Sequence, residues 1–122
     1  MPKIIAMKNQ FLAKRLHSFE NALNGIWHLW KKEINFRIHI FAGILVAALG
    51  WLVEITRTKW MMIIVCVGIV LGAEAFNSAI ERICDVVSPE KNRQIKIIKD
   101  ISAAAVLIVS VTAAIIGIFI FC

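Results

Sequence analysis

Three long apolar stretches divide the chain. They cover residues 38–53, 60–73 and 101–122, and the second continues without Gly or Pro into a polar run that ends at Asp85. A helix that crosses a bilayer needs about 20 mostly apolar residues, and the first stretch reaches that length when residues 35–37 lie at the interface. The pattern therefore predicts three transmembrane helices, at about residues 34–53, 60–85 and 100–121.

The region before the first span has a different pattern. At about 100° per residue, the apolar residues of segment 9–32 fall on roughly half of the circumference of a helix, with most of the polar residues opposite. Trp27 and Trp30 near its end, with basic side chains across the helix, are typical of a helix in the headgroup layer. The predicted fold is an all-α membrane protein in which an N-terminal amphipathic surface helix precedes three transmembrane helices, all within a single domain, residues 1–122.

Composition and charge support this fold. Hydrophobic residues make up 60% of the chain, against about 45–50% in globular domains. The net charge of +6 would suggest nucleic acid in a soluble protein, but seven Lys and Arg precede the first apolar stretch and five lie between the second and the third. Arg57 and Lys59 are the only Lys or Arg residues between the first and the second apolar stretch. Positively charged loops stay in the cytoplasm, so the N-terminus and the 82–99 loop are predicted to be cytoplasmic and the C-terminus external, with no nucleic-acid partner.

A polar stripe follows the second apolar stretch. It consists of Glu74, Asn77, Ser78, Glu81 and Asp85, at spacings that stack side chains on one helix face. A carboxylate at the centre of a membrane helix costs about 2.5–3.5 kcal/mol, so this stripe indicates a functional site. At about 1.5 Å per residue from position 60, Glu74 lies about 21 Å along the helix and Glu81 about 31 Å. Glu74 is therefore predicted inside the ~30 Å hydrocarbon layer and Glu81 at its aqueous edge.

The charged residues at that edge favour phosphate chemistry. Glu33, Glu81 and Asp100 are predicted near one level, together with Lys99 and a basic loop. Mg²⁺ prefers carboxylates plus substrate phosphates, and phosphoryl transfer relies on positioning and charge neutralisation. The sequence contains no GxxxxGK[ST], HRD or DFG motif. The residues alone leave three readings open: a nucleotide- and metal-dependent enzyme, an ion or proton pathway, and polar packing between helices.

Two motifs resemble a known family. The runs EAFNSAIERICD at 74–85 and KDISAAAVLI at 99–108, with EINFRIH at 33–39, are similar to the signature of the prokaryotic diacylglycerol kinase family. The resemblance covers about residues 11–118. It implies a homotrimeric kinase of the bacterial inner membrane, with active sites shared between subunits, that uses Mg²⁺ and ATP to phosphorylate the hydroxyl of a lipid alcohol.

The resemblance also implies roles for individual residues. Glu74 matches the catalytic base, and Glu33 and Glu81 match the metal-binding glutamates. The positions that match nucleotide contacts are Lys14, Asn21, Glu90, Lys91, Asn92, Lys99 and Asp100. Asn77, Arg15 and Ala103 are expected to support the site or to contact substrate, and Lys14 and Arg15 are alternatives for one phosphate contact. Structural roles are expected for Ser78, Asp85, His17, His28 and His39.

The acceptor and the reaction class each have an alternative. Members of this family phosphorylate diacylglycerol or undecaprenol, and the EINFRIH segment is closer to the undecaprenol branch, so undecaprenol is the favoured acceptor. A small proton-coupled transporter that uses the embedded Glu74 is the alternative function, and a non-catalytic assembly subunit is a third. The cationic loop and the carboxylates gathered at one membrane face disfavour the transporter.

Overall fold

The structure, a computed structural model, describes residues 2–122 as four α-helices. They are α1 (Pro2–Lys32), α2 (Ile34–Val53), α3 (Arg57–Val87) and α4 (Arg93–Phe121). Helices α2, α3 and α4 are each long and apolar enough to cross a membrane. The predicted all-α membrane fold is therefore confirmed. The chain divides into an N-terminal unit that ends at Glu33 and a second unit, Ile34–Cys122.

Helix α1 begins at Pro2, earlier than the hydrophobic pattern predicts. Proline has no backbone N–H to lose in a first turn, and its φ is already helical, so it is a suitable first residue. No side chain of α1 is buried. The Arg15 guanidinium lies over the Phe11 ring at 4.8 Å from its centroid, and the Lys31 ammonium lies over Trp27 at 5.3 Å. These cations pack along apolar side chains, as they do on helices at a membrane interface.

Within the second unit, α3 packs against both α2 and α4. The buried apolar side chains of the second unit are few: Phe36, Ile63, Val70, Cys84 and Ile120. Most of the large apolar side chains on the three helices are exposed. A surface of this kind is unfavourable in water and is typical of helices surrounded by lipid or by other subunits.

Two contacts hold the bundle together, one in the middle of α2 and one near the α2–α3 turn. A Cβ added at Gly43 would lie 3.4 Å from both γ-methyl groups of Val67, so the small residue permits a close approach of α2 and α3. Lys59, in the first turn of α3, donates from Nζ to the carbonyl oxygen of Ile120 at 3.0 Å. That carbonyl lies in the last turn of α4, where backbone acceptors have no partner within the helix.

The turn between α2 and α3 places a non-glycine residue in the left-handed region. Glu54 has φ +58°, and the next residue, Ile55, donates its N–H to the carbonyl oxygen of Gly50 at 3.2 Å. A Cβ at Gly50 would lie only 2.9 Å from Cδ1 of Ile55, so a larger residue at this position would displace the end of the Ile55 side chain where the turn folds back. Thr56 then caps α3 by accepting from the N–H of Lys59.

Replacing Glu54 with glycine is expected to stabilise the protein. Left-handed backbone costs an L-residue about 1–2 kcal/mol, which glycine avoids, and the extra freedom of glycine in the unfolded chain offsets about half of that gain. Thermal unfolding in detergent should show a midpoint a few degrees higher for Glu54→Gly. Glu54→Ala is the control, since alanine keeps the Cβ and should give no such gain. Equal midpoints for the two variants would contradict this account.

The connection between α3 and α4 is short and capped at both ends. The N–H of Ser88 donates to the carbonyl oxygen of Cys84 at 2.9 Å, which ends α3. Asn92 begins α4 by accepting the N–H of Gln94 on Oδ1 at 2.8 Å, the usual role of an asparagine N-cap. Helix α4 therefore starts well before residue 100, because a local cap decides its start and hydropathy decides only where its apolar part begins.

Candidate active site

The Glu74 carboxylate is buried between α3 and α2. Its side chain is 7% exposed, and its Oε1 lies 3.3 Å from Nε2 of His39, which α2 contributes. Glu74 follows the buried Val70 by four residues, so both side chains lie on the same face of α3. The predicted catalytic base is thus enclosed by protein and has an imidazole beside it.

His39 was expected to be structural, and its contact with Glu74 is a feature that sequence reasoning missed. The sequence signal that could have indicated this contact is the position of His39 in the EINFRIH motif, which begins with the predicted metal ligand Glu33. Helical spacing relates residues within one helix, but it does not show which residue of α2 faces which residue of α3. The contact therefore became visible only with the packing of the two helices.

An apolar groove of about 500 Å³ runs along the bundle, and the His39 ring lies at one end of it. Helices α2, α3 and α4 all contribute to its walls, which are lined mainly by apolar side chains. From the His39 level the groove continues past Val46 and Cys66 toward Ile120. A groove of this kind suits a hydrocarbon chain, and His39, at one end of the groove, contacts Glu74.

Asn77 is held by a second residue that the sequence did not single out. The Ser102 hydroxyl, which is buried on α4, donates to Oδ1 of Asn77 at 2.7 Å. This bond occupies the carboxamide oxygen and leaves its NH₂ group as the donor. Asn77 is therefore fixed between α3 and α4, one turn along from Glu74.

Lys99 and Asp100, which lie near the start of α4 and were predicted to bind nucleotide, each form an ion pair. Lys99 Nζ lies 2.7 Å from Oδ1 of Asp85, and Lys96 Nζ lies 2.7 Å from Oδ2 of Asp100. The first pair joins α4 to α3 through Asp85. The Asp85 side chain is 66% exposed, and exposed pairs contribute about 0–1 kcal/mol. Lys99 is therefore free to exchange this carboxylate for a phosphate at little cost.

Glu81 offers a half-buried carboxylate on α3, two turns beyond Glu74. Residues 2–122 contain no group of three or more His, Cys, Asp or Glu side chains that could hold a metal ion by themselves. Magnesium in phosphoryl-transfer sites usually takes one or two carboxylates and completes its shell with water and substrate phosphates. The donor type of Glu81 fits Mg²⁺ on that basis. The second predicted ligand, Glu33, is half-buried at the end of the N-terminal unit.

The other predicted site residues lie on three parts of the chain. Lys14, Arg15 and Asn21 are exposed on α1, Glu90, Lys91 and Asn92 are exposed in the α3–α4 connection, and Ala103 is exposed on α4. In that connection the carbonyl oxygen of Glu90 accepts the Ser88 hydroxyl at 3.3 Å. The side-chain oxygen of Asn92 is occupied by its capping bond, so its predicted nucleotide contact would have to use the NH₂ group or replace the cap.

The chain belongs to the prokaryotic diacylglycerol kinase family, whose model matches residues 20–121. It is a membrane lipid kinase and thus a phosphotransferase, as its motifs predict. It is similar to the undecaprenol kinase of Bacillus subtilis, with 36% identity over 104 residues that cover 85% of each chain. It is also similar to a diacylglycerol kinase of Synechocystis, with 30% identity over 103 residues that cover 84% of this chain and 59% of the relative.

Proposed function

We propose that this protein transfers the γ-phosphoryl group of ATP, in a Mg²⁺-dependent reaction, to the hydroxyl of undecaprenol. The observation that carries the proposal is the enclosed Glu74 carboxylate, which adjoins an apolar groove through His39. The 36% identity to an undecaprenol kinase, over most of both chains, supports undecaprenol as the acceptor. Diacylglycerol is the alternative acceptor, in keeping with the second relative.

Glu74 acts as the general base in this proposal. The groove holds the hydrocarbon part of the lipid, so that its hydroxyl reaches the carboxylate below the membrane surface. Glu74 accepts the hydroxyl proton as the oxygen forms a bond to the γ-phosphorus, and the bond from that phosphorus to the β–γ bridging oxygen breaks. ADP leaves with the electron pair of the broken bond. A general base must lie within hydrogen-bond reach of the proton that it accepts. A lipid bound in the groove would bring its hydroxyl within that reach of Glu74.

The nucleotide is proposed to bind at the aqueous end of α3 and α4. Lys99 would leave Asp85 and pair with a phosphate, a charge-assisted contact of the strong kind. Glu81 and Glu33 would hold Mg²⁺, which neutralises phosphate charge when bound. The proposed nucleotide contacts are completed by Lys14 or Arg15, Asn21, Glu90, Lys91, Asn92 and Asp100. Asn77 would orient Glu74 or the acceptor through its free NH₂ group, and Ala103 would line the site.

The protein is proposed to work as a homotrimer, folded as one domain per chain, in the bacterial inner membrane. Its many exposed apolar side chains leave ample surface for contact with other subunits, and the active sites would be shared between neighbouring subunits. The N-terminus and the active site would face the cytoplasm and the C-terminus the outside, as the distribution of Lys and Arg predicts.

One assay tests both the reaction and the acceptor. Purified protein in mixed micelles is given ATP labelled in the γ-phosphate, with undecaprenol and diacylglycerol present side by side. We expect label in undecaprenyl phosphate, with kcat/KM at least about tenfold higher than for diacylglycerol, a difference of about 1.4 kcal/mol. A preference for diacylglycerol would overturn the acceptor and leave the kinase intact. No label in any lipid alcohol, together with proton-linked flux in vesicles, would favour the transporter.

A further inference from the structure

We infer that His39 is a positioning residue for the catalytic carboxylate. This inference rests on the proposed role of Glu74 as general base and adds a second helix to the machinery. The imidazole Nε2 lies 3.3 Å from Oε1 of Glu74, and the two side chains are 26% and 7% exposed. His39 is thus the partner that α2 contributes to the buried Glu74 carboxylate.

Burial makes this contact important for Glu74. A carboxylate removed from water loses its solvation, and it remains ionised in such a place only when a donor or a positive charge replaces part of that solvation. A flexible Glu side chain also samples several rotamers unless a neighbour restrains it, and that freedom corresponds to about 1.5–2 kcal/mol. Contact with the imidazole addresses both problems, because the group that replaces water also restrains the rotamer.

The contact leaves one carboxylate oxygen for chemistry. His39 meets Oε1, so Oε2 is the oxygen that takes the hydroxyl proton of the acceptor. Because the His39 ring also lines the apolar groove, the lipid and the base are brought together by the same side chain. Productive geometry must be held to about 0.5 Å by residues that support the reacting group, and His39 lies where such support is needed.

The inference predicts a loss in kcat that a conservative replacement rescues. Full-length protein is assayed in mixed micelles with ATP and the lipid alcohol that the wild type accepts. His39→Ala should lower kcat by about 10- to 100-fold, the loss expected when a reacting group is misplaced by about 1 Å. The KM for ATP should change by less than about twofold, because the nucleotide binds elsewhere. His39→Gln should recover most of the lost kcat, since the glutamine amide places an N–H donor at nearly the same reach as Nε2.

The controls separate this inference from the proposed function. His28→Ala, at an exposed position on α1, should behave as the wild type. If Glu74→Gln is inactive but His39→Ala keeps kcat within about threefold, the inference fails and the role of Glu74 stands. If Glu74→Gln retains full activity, the proposed base itself is wrong. Parallel changes in kcat and ATP KM, or a glutamine variant as poor as alanine, would show that His39 only maintains the fold.

A stability measurement covers the case in which His39→Ala does not fold. Thermal unfolding midpoints are compared for wild type, His39→Leu, Glu74→Leu and the double variant, because leucine fills a similar volume without a polar group that could keep the contact. Residues in direct contact show non-additive effects, whereas independent residues show additive ones. The double variant should therefore lose less than the sum of the two single losses. Additive losses would overturn the contact and with it the inference.

Discussion

Glu74→Gln is expected to abolish lipid phosphorylation while ATP continues to bind. An amide of the same size cannot accept the hydroxyl proton, and loss of a general base costs about 10²–10⁴-fold in turnover. The substitution keeps the shape of the side chain and its place beside His39. Turnover is measured with labelled ATP, and nucleotide binding by equilibrium titration of the same preparation. A fall in kcat without a change in the ATP dissociation constant would place Glu74 at the chemical step.

A second carboxylate provides the matched control. Glu54 lies in the turn between α2 and α3, at the opposite end of α3 from Glu81, and Glu54→Gln removes the same charge from the same chain. Its turnover should equal that of the wild type. If Glu74→Gln retained more than about a tenth of wild-type turnover, proton abstraction would have to be assigned to another group.

Glu81→Gln is expected to weaken the binding of ATP and the response to Mg²⁺ together. The neutral amide is a poorer ligand for a hard dication than a carboxylate. The apparent dissociation constant for ATP in the presence of Mg²⁺ should rise at least tenfold, which corresponds to about 1.4 kcal/mol. ATP binding without the metal should change much less. Titrating ATP at several fixed Mg²⁺ concentrations measures both effects.

Asp85→Asn distinguishes a metal ligand from a general change of charge. Asp85 is four residues beyond Glu81 on α3 and pairs with Lys99, so its removal changes the same local charge by the same amount. We expect this variant to keep the Mg²⁺ dependence of the wild type, whereas its ATP affinity rises because Lys99 no longer has a competing partner. An unaltered Mg²⁺ response in Glu81→Gln would contradict the ligand role.

The fold was predictable because a membrane-spanning helix can be recognised in a sequence by its length and its apolar composition. Three apolar stretches gave three helices long enough to cross a bilayer, and the amphipathic pattern after residue 9 gave the helix before them. The start of α4 was less accessible, because the Asn92 cap, and not a change in hydropathy, begins that helix. The early start of α1 at Pro2 likewise depends on local backbone chemistry that a hydrophobicity pattern does not record.

The candidate site was predictable along one helix and not between helices. The spacing of Glu74, Asn77 and Glu81 placed them on one face of α3, since a helix repeats every 3.6 residues. The partners supplied by other helices, His39 and Ser102, depend on how far each helix is rotated and shifted against α3. The periodicity of residues along one helix does not give its rotation or shift against a neighbouring helix. The roles of Glu74 and the other site residues remain predictions for the experiments above.

We expect the length of α3 to make this enzyme sensitive to the thickness of its membrane. Thirty-one residues correspond to a rod of about 46 Å, whereas the hydrocarbon layer is about 30 Å thick. The same unbroken helix carries Glu74 and Glu81. A change in the local bilayer thickness, or in the tilt of the helix, therefore changes the depth of both residues at once. A lipid of the wrong acyl length would then leave the acceptor hydroxyl above or below its base, and catalysis would fall although every residue is in place.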